Sequence, residues 1–218
     1  MPDRTMLMRD LEIALEKLKD FVNPVEKLEQ YRTPGNIAAL MIWEASLRRD
    51  LHRDIVVDLG CGTGVLTYGS LLLGASSALC LDIDWSALYV ARENLVGFSG
   101  LFDLVAGDAR NLPMRPISDK CTVIMNPPFG VKTRGADIEF LKAALGTCST
   151  VYSLHKYSLE SLKLISKVAE ELGFALSVVT KATMVLKQRL RHHRKKTHRF
   201  EVALIRLVKT SECGGVGR

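Results

Sequence analysis

Leu7, Leu11, Ala14, Leu15, Leu18 and Val22 recur at helical spacing with charges between them, which predicts an amphipathic N-terminal helix of about four turns. Asn23-Pro24 ends it, because proline cannot continue a helix. The stretch VEKLEQYRTPGN leads to a second helical pattern, from about Ile37 to Leu47. After Arg53 the pattern changes to short apolar runs that alternate with amphipathic ones. Strands are predicted at Ile55 to Leu59, Ala78 to Leu81, Phe102 to Ala106, Cys121 to Met125 and Val151 to Leu154. Helices are predicted at Val65 to Leu73, Trp85 to Leu95, Ile138 to Leu145 and Leu159 to Leu172. Two β-branched runs, Ala175 to Thr183 and Phe200 to Val208, close the pattern with no helix between them.

Strands that alternate with helices imply an α/β fold with a mostly parallel sheet covered on both faces. The last two runs predict a terminal antiparallel pair. The organisation expected is a helical extension over residues 1–50, a main domain over 51–208 and a mobile tail over 209–218.

Composition narrows the class. A chain of 218 residues that is 47% hydrophobic can bury a full core. No apolar stretch reaches the ~18–20 residues that span a bilayer. The charged N-terminus lacks a secretory signal, so a cytoplasmic protein without a membrane partner is expected. The five cysteines are scattered, with no CxxC pair, so no metal site is expected. Four of them sit in apolar or glycine-rich stretches and are expected as reduced core thiols.

The charge is uneven. Residues 187–199, KQRLRHHRKKTHR, carry Lys187, Arg189, Arg191, Arg194, Lys195, Lys196 and Arg199 and no acid. The net charge is +6, so the remainder of the chain sums to −1. A basic segment on a near-neutral body points to a polyanion partner, most simply nucleic acid. A solvated basic loop is the plainer alternative.

Chemistry gathers at predicted strand ends. Asp58-Leu59-Gly60-Cys61-Gly62-Thr63-Gly64 follows the first strand and opens a helix. The glycines permit a sharp turn close to a ligand. Val65 breaks the G-x-G-x-x-G register of a nicotinamide fingerprint, and no P-loop pattern occurs. Asp82 closes the second strand, where an acid can accept ribose hydroxyls. Asp84 reads as the cap of the next helix. Asp108, in AGDARNLP, could accept from an adenine amino group. Asn126-Pro127-Pro128-Phe129 follows the fourth strand. Two prolines stiffen that turn, so it presents an amide, bare carbonyls and a phenyl ring in a fixed arrangement.

EQYRT (29–33), DLGCGTGVL (58–66), LDID (81–84), VIMNPPFG (123–130), VYSLHK (151–156) and FEVALIRL (200–207) occur in the order seen in class I methyltransferases. Together they resemble the small-subunit rRNA adenine-N6 methyltransferases, the group that includes human methyltransferase-like protein five. The resemblance runs from about residue 7 to 208. It implies a Rossmann-like fold with a mostly parallel seven-stranded sheet and S-adenosyl-L-methionine as cofactor. It also implies a small-subunit rRNA substrate and a small zinc-binding activator protein as partner. By position, Gln30, Tyr31 and Thr33 match a segment folded over the cofactor. Asp58, Gly60 and Gly62 match its methionine loop, Asp82 its ribose acid and Asp108 its adenine contact. Asn126 to Phe129 match the catalytic motif, with Asn126 also beside the cofactor. Two departures stand out: Arg32 where the family usually has proline, and VLKQRLRHH where it usually has a proline and an aromatic residue.

The chemistry implied is methylation of a planar nitrogen. Asn126 Oδ1 and the Pro127 carbonyl oxygen can hold the two N–H groups of an adenine amine, and Phe129 can stack on the base. His155, just past the fifth strand, reads as a structural polar residue, with contact to the flipped nucleotide as the alternative; His192, His193 and His198 read as RNA-facing surface. Transfer to a protein glutamine and a non-catalytic RNA-binding module remain as alternatives.

Overall fold

A computed structural model describes residues 7–112, 120–187 and 197–210 of the chain. Seven strands form one sheet: β1 (Ile55–Leu59), β2 (Ala78–Asp82), β3 (Phe102–Ala106), β4 (Cys121–Met125), β5 (Thr150–Lys156), β6 (Phe174–Lys187) and β7 (Thr197–Lys209). Their order is β3-β2-β1-β4-β5-β7-β6. The pairs from β3 to β5 are parallel, and β7 runs antiparallel to both β5 and β6. The helices are α1 (Met8–Glu16), α2 (Gly35–Leu47), α3 (Val65–Leu72), α4 (Trp85–Asn94), α5 (Ala136–Leu145) and α6 (Leu159–Glu171). The α/β class, the parallel sheet and the antiparallel end all match the sequence reading.

Successive strand residues face opposite sides, and two separate cores result. Val56 of β1, Ile124 of β4 and Tyr152 of β5 pack with Leu11, Leu15, Ile37, Met41 and Ile42 from α1 and α2. Val57, Val123 and Val151, one position along, pack on the other face with Leu141, Leu145, Ile165 and Val168 of α5 and α6. Strands buried on both faces explain why β1, β2 and β4 read as continuous apolar runs.

Two expectations are corrected. The first helix is shorter than its periodicity predicts. It stops at Glu16 because later residues take up the backbone that would have continued it. The Arg32 guanidinium donates to the Glu16 and Leu18 carbonyls at 3.1 and 2.6 Å. The Asn94 side chain accepts from Lys19 N at 2.9 Å and donates to Lys19 O at 3.0 Å.

The second correction concerns the thiols. Cys121 and Cys148 form a disulfide, while Cys61 and Cys80 are free and buried, as expected of core thiols. The bridge ties the start of β4 to the residues just before β5, on adjacent parallel strands. Closing a loop of 27 residues stabilises the fold by roughly 3–4 kcal/mol on the chain-entropy account. The doubly substituted C121A/C148A protein should therefore unfold at lower temperature and denaturant concentration, and reductant should lower the midpoint of the wild type but not of that variant.

No described helix is long and apolar enough to cross a membrane.

Candidate active site

The chain winds from β1 outward to β2 and β3, then returns to β4 on the other side of β1. A crevice opens at such a switch point, beyond the carboxyl ends of the strands. The end of β1 supplies Asp58, the end of β2 Asp82, the turn after β3 Asp108 and the turn after β4 Asn126. All four line one cavity of about 410 Å³, within the size range of small-molecule sites. Gln30, Tyr31, Thr33, Gly60, Gly62, Pro127 and Pro128 line it too.

The glycine turn is pinned to the neighbouring strand. Gly60 N and Cys61 N donate to the Leu81 carbonyl at 2.8 and 3.0 Å. Gly62 N donates to Asp82 Oδ2 at 2.7 Å. Gly62 has φ +53°, and a Cβ there would lie 2.8 Å from Phe21 Cζ. Glycine is thus required both by conformation and by the aromatic ring that covers the turn.

The two inner acids differ in what they offer. Asp58 is 1% exposed, and Thr67 donates to its Oδ2 from both backbone and hydroxyl, at 3.0 and 2.7 Å. Its Oδ1 is buried without a partner, as is Thr63 Oγ1. Burial pushes the Asp58 carboxyl up to about 7. A buried carboxylate oxygen with no donor demands a cation or a hydrogen-bond donor from a ligand. Asp82 accepts one backbone N–H on each oxygen, from Gly62 and Asp84. Each oxygen keeps a second lone pair for a hydroxyl donor, and burial raises this carboxyl as well. The ammonium and ribose diol of S-adenosylmethionine meet these two demands.

Asp108 lines the cavity with a partner already in place. The Arg110 guanidinium donates to both its oxygens at 2.6–3.1 Å, and Arg110 N adds a contact to Oδ1. That guanidinium holds the Asp108 carboxyl below its usual range. The acid anchors an arginine at the cavity wall. Asp84 caps α4 through Ser86 N, as predicted.

A strap over residues 25–33 covers the cavity and grips the Asn126 turn. Gln30 accepts from Val25 N and donates to Asp84 Oδ2 at 2.8 Å. Tyr31 OH donates to Asn126 Oδ1 at 3.3 Å, and Asn126 Nδ2 donates to Thr33 Oγ1 at 3.0 Å. Glu29 accepts from Phe129 N at 2.9 Å and Lys132 N at 2.6 Å. Tyr31 stacks on Phe129 with centroids 5.8 Å apart, and Phe129 meets Phe200 edge-on at 5.3 Å. Arg32, also on the cavity wall, reaches the end of α1, where Glu16 Oε1 lies 3.1 Å from its Nη2.

Sequence reasoning missed Glu29, which bonds across about a hundred residues, and the pocket-lining rings of Phe21 and Phe140. Only the position of Glu29 inside EQYRT pointed to it. His155 lies within β5, buried at 1% exposure, with Nε2 2.9 Å from Ser153 Oγ. It does not line the cavity.

Of the basic segment, Arg189, Arg191, Arg194, Lys195 and Lys196 lie outside the described residues, as do His192 and His193. Lys187 ends β6, paired in register with Thr197, and Arg199 is exposed on β7 with His198.

A family model for ribosomal protein L11 methyltransferase (PrmA) matches residues 38–97, which carry the glycine turn and Asp82. The rRNA N6-adenosine-methyltransferase METTL5 of Danio rerio is 35% identical over 209 residues, covering 94% of this chain and 100% of the relative. The Drosophila melanogaster enzyme is 38% identical, covering 89% and 93%. The chain belongs to the rRNA N6-adenosine-methyltransferase family. The crystal structure of a candidate RNA methyltransferase from Pyrococcus horikoshii superposes with a TM-score of 0.83 at 41% identity, over 94% of this chain and 98% of that one. As a methyltransferase of this family, the chain uses S-adenosylmethionine as its methyl donor.

Proposed function

We propose that this methyltransferase transfers a methyl group to the N6 amine of an adenosine in small-subunit rRNA. One observation carries the reading: the Asn126-Pro127-Pro128 turn forms a wall of the same cavity that Asp58 and Asp82 make fit for the cofactor. S-adenosylmethionine supplies a methyl group on a positively charged sulfur. The protein's task is to present a poor nucleophile, because the adenine amine is conjugated with its ring. Asn126 Oδ1 and the Pro127 carbonyl oxygen accept its two N–H groups, which turns the lone pair out of conjugation. Such positioning can supply several kcal/mol, within a ceiling of ~7–11. The stacked Tyr31–Phe129 pair, of which Tyr31 lines the cavity and Phe129 does not, offers the stacking surface, worth ~1–3 kcal/mol per base. The target must leave its own stack to arrive there.

Lys187, Arg189, Arg191, Arg194, Lys195, Lys196 and Arg199 hold flanking phosphates in this reading, which gives binding a steep salt dependence. Residues 1–50 form the extension that carries the strap, and 51–208 the catalytic domain. A zinc-binding activator seats along β3, a free edge of the sheet. Trp85, Tyr89, Val96 and Leu101 are exposed beside it, a patch that calls for a covering partner. A cytoplasmic location accords with an rRNA substrate. Transfer to protein finds less support, since the L11 methyltransferase match stops at residue 97, before the Asn126 turn.

The test offers small-subunit rRNA, large-subunit rRNA and ribosomal protein together, with labelled cofactor and with the activator present or absent. Label confined to small-subunit rRNA is expected. Label in large-subunit rRNA or in protein overturns the substrate.

A further inference from the structure

We propose that Thr33 and Tyr31 are positioning residues for methyl transfer: they brace the Asn126 amide from both ends and fix the plane in which it meets the substrate. This rests on the reading of Asn126 as the acceptor of the target amine. The two prolines that follow fix the backbone of the turn, but they leave the side chain free. The final torsion of an asparagine is broad and roughly two-fold. An amide that rotates there carries its acceptor oxygen away from the incoming N–H.

The brace removes that freedom. Thr33 Oγ1 accepts from Nδ2 at 3.0 Å, and Tyr31 OH donates to Oδ1 at 3.3 Å. Hydrogen bonds at opposite ends of a planar group define its orientation. The carbonyl oxygen has two lone pairs, so Tyr31 occupies one and leaves the other for the substrate amine. Burial raises the Tyr31 hydroxyl beyond the working range, so it stays protonated and remains a donor.

The brace is rigid because its support is rigid. Thr33 is 8% exposed and precedes Pro34, which restricts its backbone to extended conformations. Gly35 N, two residues on, donates to Glu16 Oε2 at 3.0 Å. Arg32, between the two brace residues, is tied to the carbonyls of Glu16 and Leu18. The arginine that departs from the family's usual proline thereby connects the brace to α1. Thr33 and Tyr31 thus act through Asn126, in addition to lining the cavity.

The discriminating variant is Thr33→Val, which keeps the shape and removes the hydroxyl. It should lower kcat by roughly 10–100-fold, the scale of a small misplacement at the reacting centre. The loss of kcat should clearly exceed any loss of cofactor affinity, RNA KM should stay within about twofold, and Thr33→Ser should restore kcat to within about threefold. Unchanged kcat in Thr33→Val overturns the proposal. So does a loss of cofactor affinity that matches the loss of kcat, because Thr33 is then a cofactor contact. Should Thr33→Val fail to fold, Tyr31→Phe supplies the second variant, with a several-fold loss of kcat that exceeds any loss of cofactor affinity expected. A readout without substrate separates this inference from the proposed reaction. Hydrogen exchange of the Asn126 side-chain amide, followed by NMR, should be slow in wild type and at least about tenfold faster in Thr33→Val. Equal exchange in the two proteins rules out the brace, whatever RNA the enzyme methylates.

Discussion

Asn126→Ala should lower kcat by at least about 10²–10³-fold, the scale seen when one preorganised polar contact to a reacting group is removed. RNA affinity should stay within about threefold, because phosphate contacts dominate it and lie elsewhere. Asn126 hangs from a turn whose backbone is held independently. The turn leaves β4 as two prolines, and Glu29 binds the backbone of Phe129 and Lys132. Truncation at Asn126 therefore removes the acceptor without releasing the turn. Filter binding and single-turnover methylation on the same preparation separate the two quantities. A fall in RNA affinity as large as the fall in rate would place Asn126 in RNA binding.

Asp58→Asn should produce a protein that is more stable than wild type at pH 8 and binds the cofactor roughly 10²–10⁴-fold more weakly. The Asp58 carboxyl is pushed to about 7 by burial, from an ordinary value of 3.8. The folded state thus holds a proton between those values that the unfolded state has lost. Its contribution to stability is full below pH 3.8 and is lost as pH rises to about 7. Above that, the cofactor-free protein bears an uncompensated buried charge. An asparagine keeps the acceptor for Thr67 and removes the charge. The same change leaves the cofactor's ammonium without its counter-charge, and breaking a buried ion pair typically costs ~3–5 kcal/mol. Cofactor binding by wild type should release protons below pH 7, because a cation beside Asp58 favours its ionised form. Calorimetry in buffers of different ionisation enthalpy measures that release, and a release that persists in Asp58→Asn would assign the proton to another group.

The first four strands were legible because each is a short apolar run closed by a glycine, an acid or the double proline. Asp58, Asp82 and Asn126 were legible for a related reason. In a parallel sheet, polar residues just past successive strands must share one edge. What could not be read depends on partners far apart in the chain. Glu29 looks like any acid in a charged linker until the fold brings it to Phe129 N. The first helix has the right periodicity as far as Val22, but Arg32 and Asn94 compete for its last carbonyls. Cys121 and Cys148 sit in apolar stretches that suit free thiols equally well, and only the adjacency of β4 and β5 pairs them. The Asp108–Arg110 pair was within reach, since both residues stand in AGDARNLP; an arginine two positions on is a ready partner for an acid in a turn.

Nucleoside analysis of small-subunit rRNA after incubation with the protein and isotopically labelled S-adenosylmethionine reads out the reaction itself. Labelled N6-methyladenosine is the result predicted, present with wild type and lost with Asn126→Ala. Label in a different nucleoside, or none in RNA while the protein demonstrably binds the cofactor, would contradict the proposed reaction.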